Sequence, residues 1–209
     1  MPRTRVKICG FTHPGDALEA ARLGVDAVGL VFYPRSSRYV TGERAAAIAA
    51  ALPAFVTVVG LFVDARPGEV EAVLERVPLD LLQFHGDETP AECERFNRPY
   101  IKAVRMAPGI DLYREAERFH QARGLLLDAW HPAVPGGTGE RFDWARIPAD
   151  LPLPVILAGG LSSANVAEAV RRVRPWAVDV SSGVESAKGV KDPAKMAAFL
   201  REVGHGDST

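Results

Sequence analysis

VKICGFTHPGDALEAARLGVDAVGLVF, residues 6–32, decides the fold. It reads as strand, turn, helix, strand. The apolar run 5–9 stops at Gly10, an amphipathic segment covers 14–23, and 27–32 is strand-like again. Two strands joined through a helix make a βαβ unit, which sets its strands parallel. The pattern repeats outward from there. Further strand-like runs lie at 56–62, 81–84, 100–104, 124–128, 154–158 and 177–181, each bounded by Gly, Pro or a polar turn. Helical segments fall at 43–52, 67–77, 90–96, 112–122, 163–173 and 193–203, and the short stretch after Asp143 is the weakest. Asp192 and Pro193 mark the start of the last helix, and Ser162 or Ser163 is expected to cap the one before. Eight such units predict an α/β, single-domain (β/α)8 TIM barrel over 1–209, with 204–209 as a frayed tail. An open doubly wound sheet normally has fewer strands.

Bulk properties narrow the function. With 209 residues, 47% of them apolar, the chain can bury a sizeable core. A formal net charge of −1 argues against a nucleic-acid binder that relies on bulk electrostatics. No apolar run is long enough for a bilayer, and MPRTRVKICG lacks the apolar stretch of a signal peptide. Two distant cysteines, Cys9 and Cys93, make no disulfide framework. A cytoplasmic, reduced, soluble protein is expected, with monomer and homodimer both open.

Period two sorts the strand residues. If helices cover the outside, Val6 and Ile8 point at them while Lys7 and Cys9 point inward. The same counting turns Gln83, His85, Lys102, Leu126, Asp128, Asp179 and Ser181 inward. Buried charges need partners, so Lys7 and Lys102 are expected near Asp179. Cys9, His85, Asp128 and Ser181 end their strands, at the C-terminal face where barrels of this kind build active sites. Cys93, on a helix, reads as an inert small hydrophobe.

Two glycine turns follow the last two strands, AGGLSS (158–163) and SSGVES (181–186). Such loops are the usual phosphate site of a barrel, with a short extra helix that 182–186 can supply. Gly159, Gly160, Ser182 and Gly183 are the candidate anion-binding residues. A third glycine loop, PGGTGERFDW (135–144), is long enough to cover a ligand.

KICG, FYPRSSRYV, LLQFHGDE, DAWHPAVPGGTGERFDW, LAGGL and DVSSGVES occur in this order from residue 7 to residue 186. Together they closely resemble the phosphoribosylanthranilate isomerase family of tryptophan biosynthesis. The family commonly has proline before the arginine of the second motif, where this chain has Ser36-Ser37-Arg38. The resemblance implies an Amadori rearrangement of a phosphosugar, with neither metal nor organic cofactor. It implies Cys9 as general base, Asp128 as general acid, Arg38 as the partner of the anthranilate carboxylate and Asp179 as a further carboxylate. His85 supports the site or touches ligand. A cysteine base wants a thiolate near neutral pH, for which Lys7 on the same face and the cationic Schiff base formed from substrate are the nearby cations, while Asp128 must hold a proton. A metal-dependent epimerase would need more strand-end histidines, and an indole-glycerol phosphate synthase would need strand-end glutamates. A non-catalytic phosphosugar-binding subunit would have no use for both Cys9 and Asp128.

Overall fold

The computed structural model describes residues 3–130 and 142–208. In chain order the elements are β1 (Arg5–Cys9), α1 (Pro14–Leu23), β2 (Ala27–Val31), α2 (Gly42–Ala50), β3 (Thr57–Phe62), α3 (Pro67–Leu74), β4 (Leu81–Phe84) and α4 (Pro90–Glu94). They continue with β5 (Tyr100–Arg105), α5 (Leu112–Arg118), β6 (Leu125–Asp128), β7 (Val155–Leu157), α6 (Val166–Val173) and β8 (Ala177–Val180). A short antiparallel pair, β9 (Glu185–Ala187) and β10 (Val190–Lys191), precedes α7 (Pro193–Asp207). Strands β1 to β8 pair in sequence order, all parallel, and β8 closes on β1, so the chain folds as the expected (β/α)8 barrel. No helix among the described residues is long and apolar enough to cross a membrane.

Local chemistry explains where the helices start. His13 accepts the Gly15 N–H ahead of Pro14, Thr89 and Glu92 form a reciprocal capping box, and Asp192 accepts from Ala194 and Lys195 N–H. Between β6 and β7 the described residues carry only a 3₁₀ turn, Trp144–Arg146, capped by Asp143. Most of the glycine loop expected to cover a ligand lies outside the described residues.

Three expectations need correction. The helix before β8 is not capped by Ser162 or Ser163. It starts after Asn165, whose side chain instead ties the preceding turn, accepting from Ser162 N–H and donating to the Gly160 carbonyl. Residues 204–207 are helical rather than a frayed tail, because α7 runs on to Asp207. Asp207 accepts from both the backbone N–H and the hydroxyl of Thr4, at 2.9 and 2.6 Å, which anchors the helix end beside β1.

The third correction concerns Lys102. Its register neighbours, Phe84 and Leu125, belong to the layer between barrel and helices. Ile101 and Ala103 instead share the barrel interior with Leu126 and Ile156. Lys102 therefore faces outward, 5.6 Å over the Phe119 ring. Both faces of β5 are apolar in sequence, so alternation alone did not set its parity. The burial is tolerated because Lys102 Nζ donates to the Gly86 carbonyl at 2.7 Å and pairs with Glu88 at 3.2 Å. Glu88 in turn accepts from the backbone N–H groups of Asp64 and Gly86. Breaking a buried ion pair leaves an uncompensated charge, so Glu88→Ala is expected to cost about 3–5 kcal/mol of stability. Denaturant unfolding measures this, and a loss below about 1 kcal/mol would contradict it.

Candidate active site

The C-terminal ends of the strands open on a cavity of about 810 Å³. Cys9, Arg38, His85, Asp128 and Asp179 all line it, as do Gly159, Gly160 and Ser182. Gly183 follows Ser182 in the turn after β8 and is half-buried; an added Cβ there would fall on the Leu161 carbonyl oxygen, so glycine lets the turns after β7 and β8 pack together. Gly159 and Gly160 are both in the left-handed region, at φ 78° and 64°, and a Cβ on Gly159 would meet the Ala129 nitrogen at 2.5 Å. Glycine is required there by conformation and by space. Ser182–Val184 forms the expected short turn of helix, of 3₁₀ type.

Inward parity holds for β1 and β8. Lys7 and Asp179 are register partners and form a buried pair, Nζ to Oδ1 2.8 Å. Lys7 keeps its proton: burial works against the ammonium, but the charges of Asp179 and Cys9 outweigh it. Burial pushes the Cys9 thiol up, and Asp179 adds to this, more than Lys7 and Lys191 pull it down. Lys7 is already engaged by Asp179, so its pull on the Cys9 thiol does not overcome burial in the ligand-free mouth. The thiol fits because residue 29, its register partner on β2, is glycine; a Cβ there would lie 2.6 Å from Sγ.

Asp128 ends β6. Its Oδ1 accepts the Ala129 N–H at 2.9 Å, and its Oδ2 lies 3.0 Å from His85 Nε2. Gln83 Nε2 lies 2.9 Å from His85 Nδ1. The result is a line of side chains, Gln83, His85 and Asp128, running from β4 to β6. Arg105, beside Asp128 in register, holds the His85 carbonyl at 3.3 Å.

A second network was not legible from residue order. Arg38 makes a bidentate pair with Glu185, 2.7 Å at both contacts. Glu185 also accepts from Lys191 Nζ at 2.7 Å. Burial pushes the Glu185 carboxyl up, but Arg38 and Lys191 outweigh it and hold it below the usual carboxylate range. Lys191 Nζ then donates to the Cys9 carbonyl at 2.7 Å, which the Ser181 hydroxyl also reaches at 3.0 Å. Ser181, which alternation turned inward, thus serves the Cys9 backbone. Glu185, Lys191 and Gly29 are the residues the sequence reading passed over. The signal for the first two was an acid and a lysine six residues apart around AKG, the turn of the β9–β10 hairpin. Among the described residues no group of three or more His, Cys, Asp or Glu is placed to hold a metal ion.

A closed parallel barrel with a thiol, an imidazole–carboxyl pair and glycine turns around one mouth defines a class, the β/α-barrel with acid–base side chains gathered at its C-terminal face. A sequence profile of the N-(5'-phosphoribosyl)anthranilate (PRA) isomerase family matches residues 6–202. The chain belongs to that family of isomerases. It is 62% identical over 203 residues to N-(5'-phosphoribosyl)anthranilate isomerase of Azotobacter vinelandii, covering 97% of this chain and 98% of the relative. Its fold is similar to the crystal structure of the Thermus thermophilus phosphoribosyl anthranilate isomerase, with TM-score 0.86 and 40% identity over 96% of this chain and 98% of the other. A further isomerase structure, in complex with reduced 1-(o-carboxyphenylamino)-1-deoxyribulose 5-phosphate, matches with TM-score 0.82 and 39% identity over the same shares.

Proposed function

We propose that the mouth converts N-(5'-phosphoribosyl)anthranilate to 1-(2-carboxyphenylamino)-1-deoxyribulose 5-phosphate, with Asp128 as acid and Cys9 as base. Asp128 donates a proton to the furanose ring oxygen, and the C1–O bond opens to an iminium ion. The Cys9 thiolate removes the proton from C2, giving a neutral enolamine. That proton returns at C1, and the C2 hydroxyl proton passes back to Asp128 as the ketone forms. C1 is reduced as C2 is oxidised, so no external redox partner is required. The iminium charge favours the thiolate that burial disfavours in the empty mouth. The phosphate rests at the turns 159–160 and 182–183. The anthranilate carboxylate meets Arg38 on the guanidinium edge that Glu185 does not use, since five donors exceed what one carboxylate takes.

One observation carries this reading. Cys9 and Asp128 enter one cavity from β1 and β6, and the two glycine turns leave β7 and β8, the strands between them in the ring. A phosphate seated at those turns presents the sugar to both groups. The setting is cytoplasmic, in keeping with two free cysteines, both buried. The test is loss of anthranilate-type fluorescence on adding the purified chain to freshly made substrate. Catalysed loss is expected, and a rate equal to the blank would contradict the proposal.

A further inference from the structure

Gln83 is fully buried and lines the mouth, at an inward position where valine, isoleucine or leucine would serve a purely structural barrel. Its two amide atoms differ in standing. Nε2 lies against His85 Nδ1, whereas Oε1 has no hydrogen-bond partner among the described residues. Unpaired buried amide atoms are costly, so one that is kept calls for an explanation. It also means that no partner at the far end of the amide dictates which atom faces the imidazole. A half-turn of the amide exchanges the two atoms with little change of shape.

Two arrangements satisfy His85. With the amide nitrogen toward the ring, Nδ1 accepts, the ring proton sits on Nε2, and Nε2–H donates to an Asp128 carboxylate. With the amide oxygen toward the ring, Nδ1–H donates to it. The Nε2···Oδ2 hydrogen bond then carries a second proton, shared between imidazole and carboxyl. The first arrangement holds one proton and has none to give. The second holds two and is loaded for acid catalysis.

We propose that Gln83 is a positioning residue that selects the protonation state of the His85–Asp128 pair, its oxygen supporting the loaded form and its nitrogen the unloaded one. Loading takes one proton from solvent and turns the amide; the acid step passes that proton to the substrate ring oxygen. The inference rests on Asp128 being the acid. Other charged groups surround the pair: Arg105 on β5 at the His85 carbonyl, and Lys102 and Asp87 beside Gly86. Asp179 on β8, itself paired with Lys7, lies close enough to act on both His85 and Asp128, and Cys9 on β1 lines the same mouth. Changes at residue 83 leave all of these in place.

Removing the amide and replacing it by a pure acceptor have opposite consequences. Gln83→Leu strips Nδ1–H of its acceptor, and an orphaned buried N–H is tolerated less than an orphaned lone pair. The loaded form loses ground, so the alkaline limb of kcat moves to lower pH. At the wild-type midpoint kcat falls by up to about tenfold, the worth of one hydrogen bond. Gln83→Glu only accepts when ionised, so its alkaline limb moves to higher pH. KM changes little in either. Imidazole ¹⁵N resonances of the unmodified enzyme should pass from Nδ1–H to Nε2–H character across the same limb, a readout that needs no variant. Asp128→Asn is run alongside. If it keeps wild-type kcat, the acid assignment fails and this inference with it. If it is inactive while both Gln83 variants keep the wild-type midpoint and His85 keeps one tautomer, Gln83 is structural and the proposal is overturned.

Discussion

Cys9→Ser is expected to lower kcat by about 10²–10⁴-fold, the usual worth of a general base. The exchange barely alters size, so the gap opposite Gly29 and the backbone contacts of residue 9 survive. What is lost is acidity, because a thiol of pKa about 8.5 is replaced by a hydroxyl that yields no alkoxide near pH 7. KM should move much less, since the phosphate turns and Arg38 lie on other loops. A thiol-alkylating reagent should inactivate the wild type, with protection by a product analogue. Only the thiolate reacts, and burial holds the Cys9 thiol up, so modification should be slow at neutral pH and accelerate as pH rises beyond the ordinary thiol value. The same shift has a stability sign. Above the unfolded thiol pKa the unfolded chain has released a proton that the folded chain keeps, so stability falls as pH rises. Cys93, buried in α4 with its thiol pushed up to about 12, is the control. Cys93→Ala should leave kcat alone. A fully active Cys9→Ser enzyme would contradict the base assignment.

Asp128→Asn should also cost about 10²–10⁴-fold in kcat. The amide keeps the shape, and its oxygen can still accept from His85 Nε2–H or Ala129 N–H, so binding and folding should persist. It cannot deliver a proton to the ring oxygen, and lowering the pH should not restore the rate. Steady-state kinetics from acid to neutral pH check this. Near wild-type kcat, or recovery in acid, would contradict the acid assignment.

How much of this was legible in the sequence follows from the range of each interaction. Strand and helix alternation is local, and it led to the barrel. Period two on β1 and β8 paired Lys7 with Asp179 because polar and apolar residues alternate cleanly there. On β5 the flanks of Lys102 are apolar on both faces, and its true partner, Glu88, lies in the loop after β4. Strand-end position brought Cys9, His85 and Asp128 to one mouth, since the fold itself gathers strand ends. The Arg38–Glu185 pair spans 147 residues and depends on a hairpin with no strong strand signal. Nor did residue order show Gly183 set against the Leu161 carbonyl, a consequence of two loops meeting. The anchoring of Asp207 on Thr4 is likewise a contact between chain ends that composition does not announce.

The central claim is that Cys9 and Asp128 act on different bonds of one substrate in one mouth. The most direct test is the rate with substrate deuterated at C2, measured for wild type, Cys9→Ser and Asp128→Asn. Cys9→Ser should show a full primary isotope effect, because C2–H cleavage becomes limiting. Asp128→Asn should show none, because ring opening limits the rate before that bond is touched. The reverse pattern, or the same isotope effect in both variants, would contradict the account.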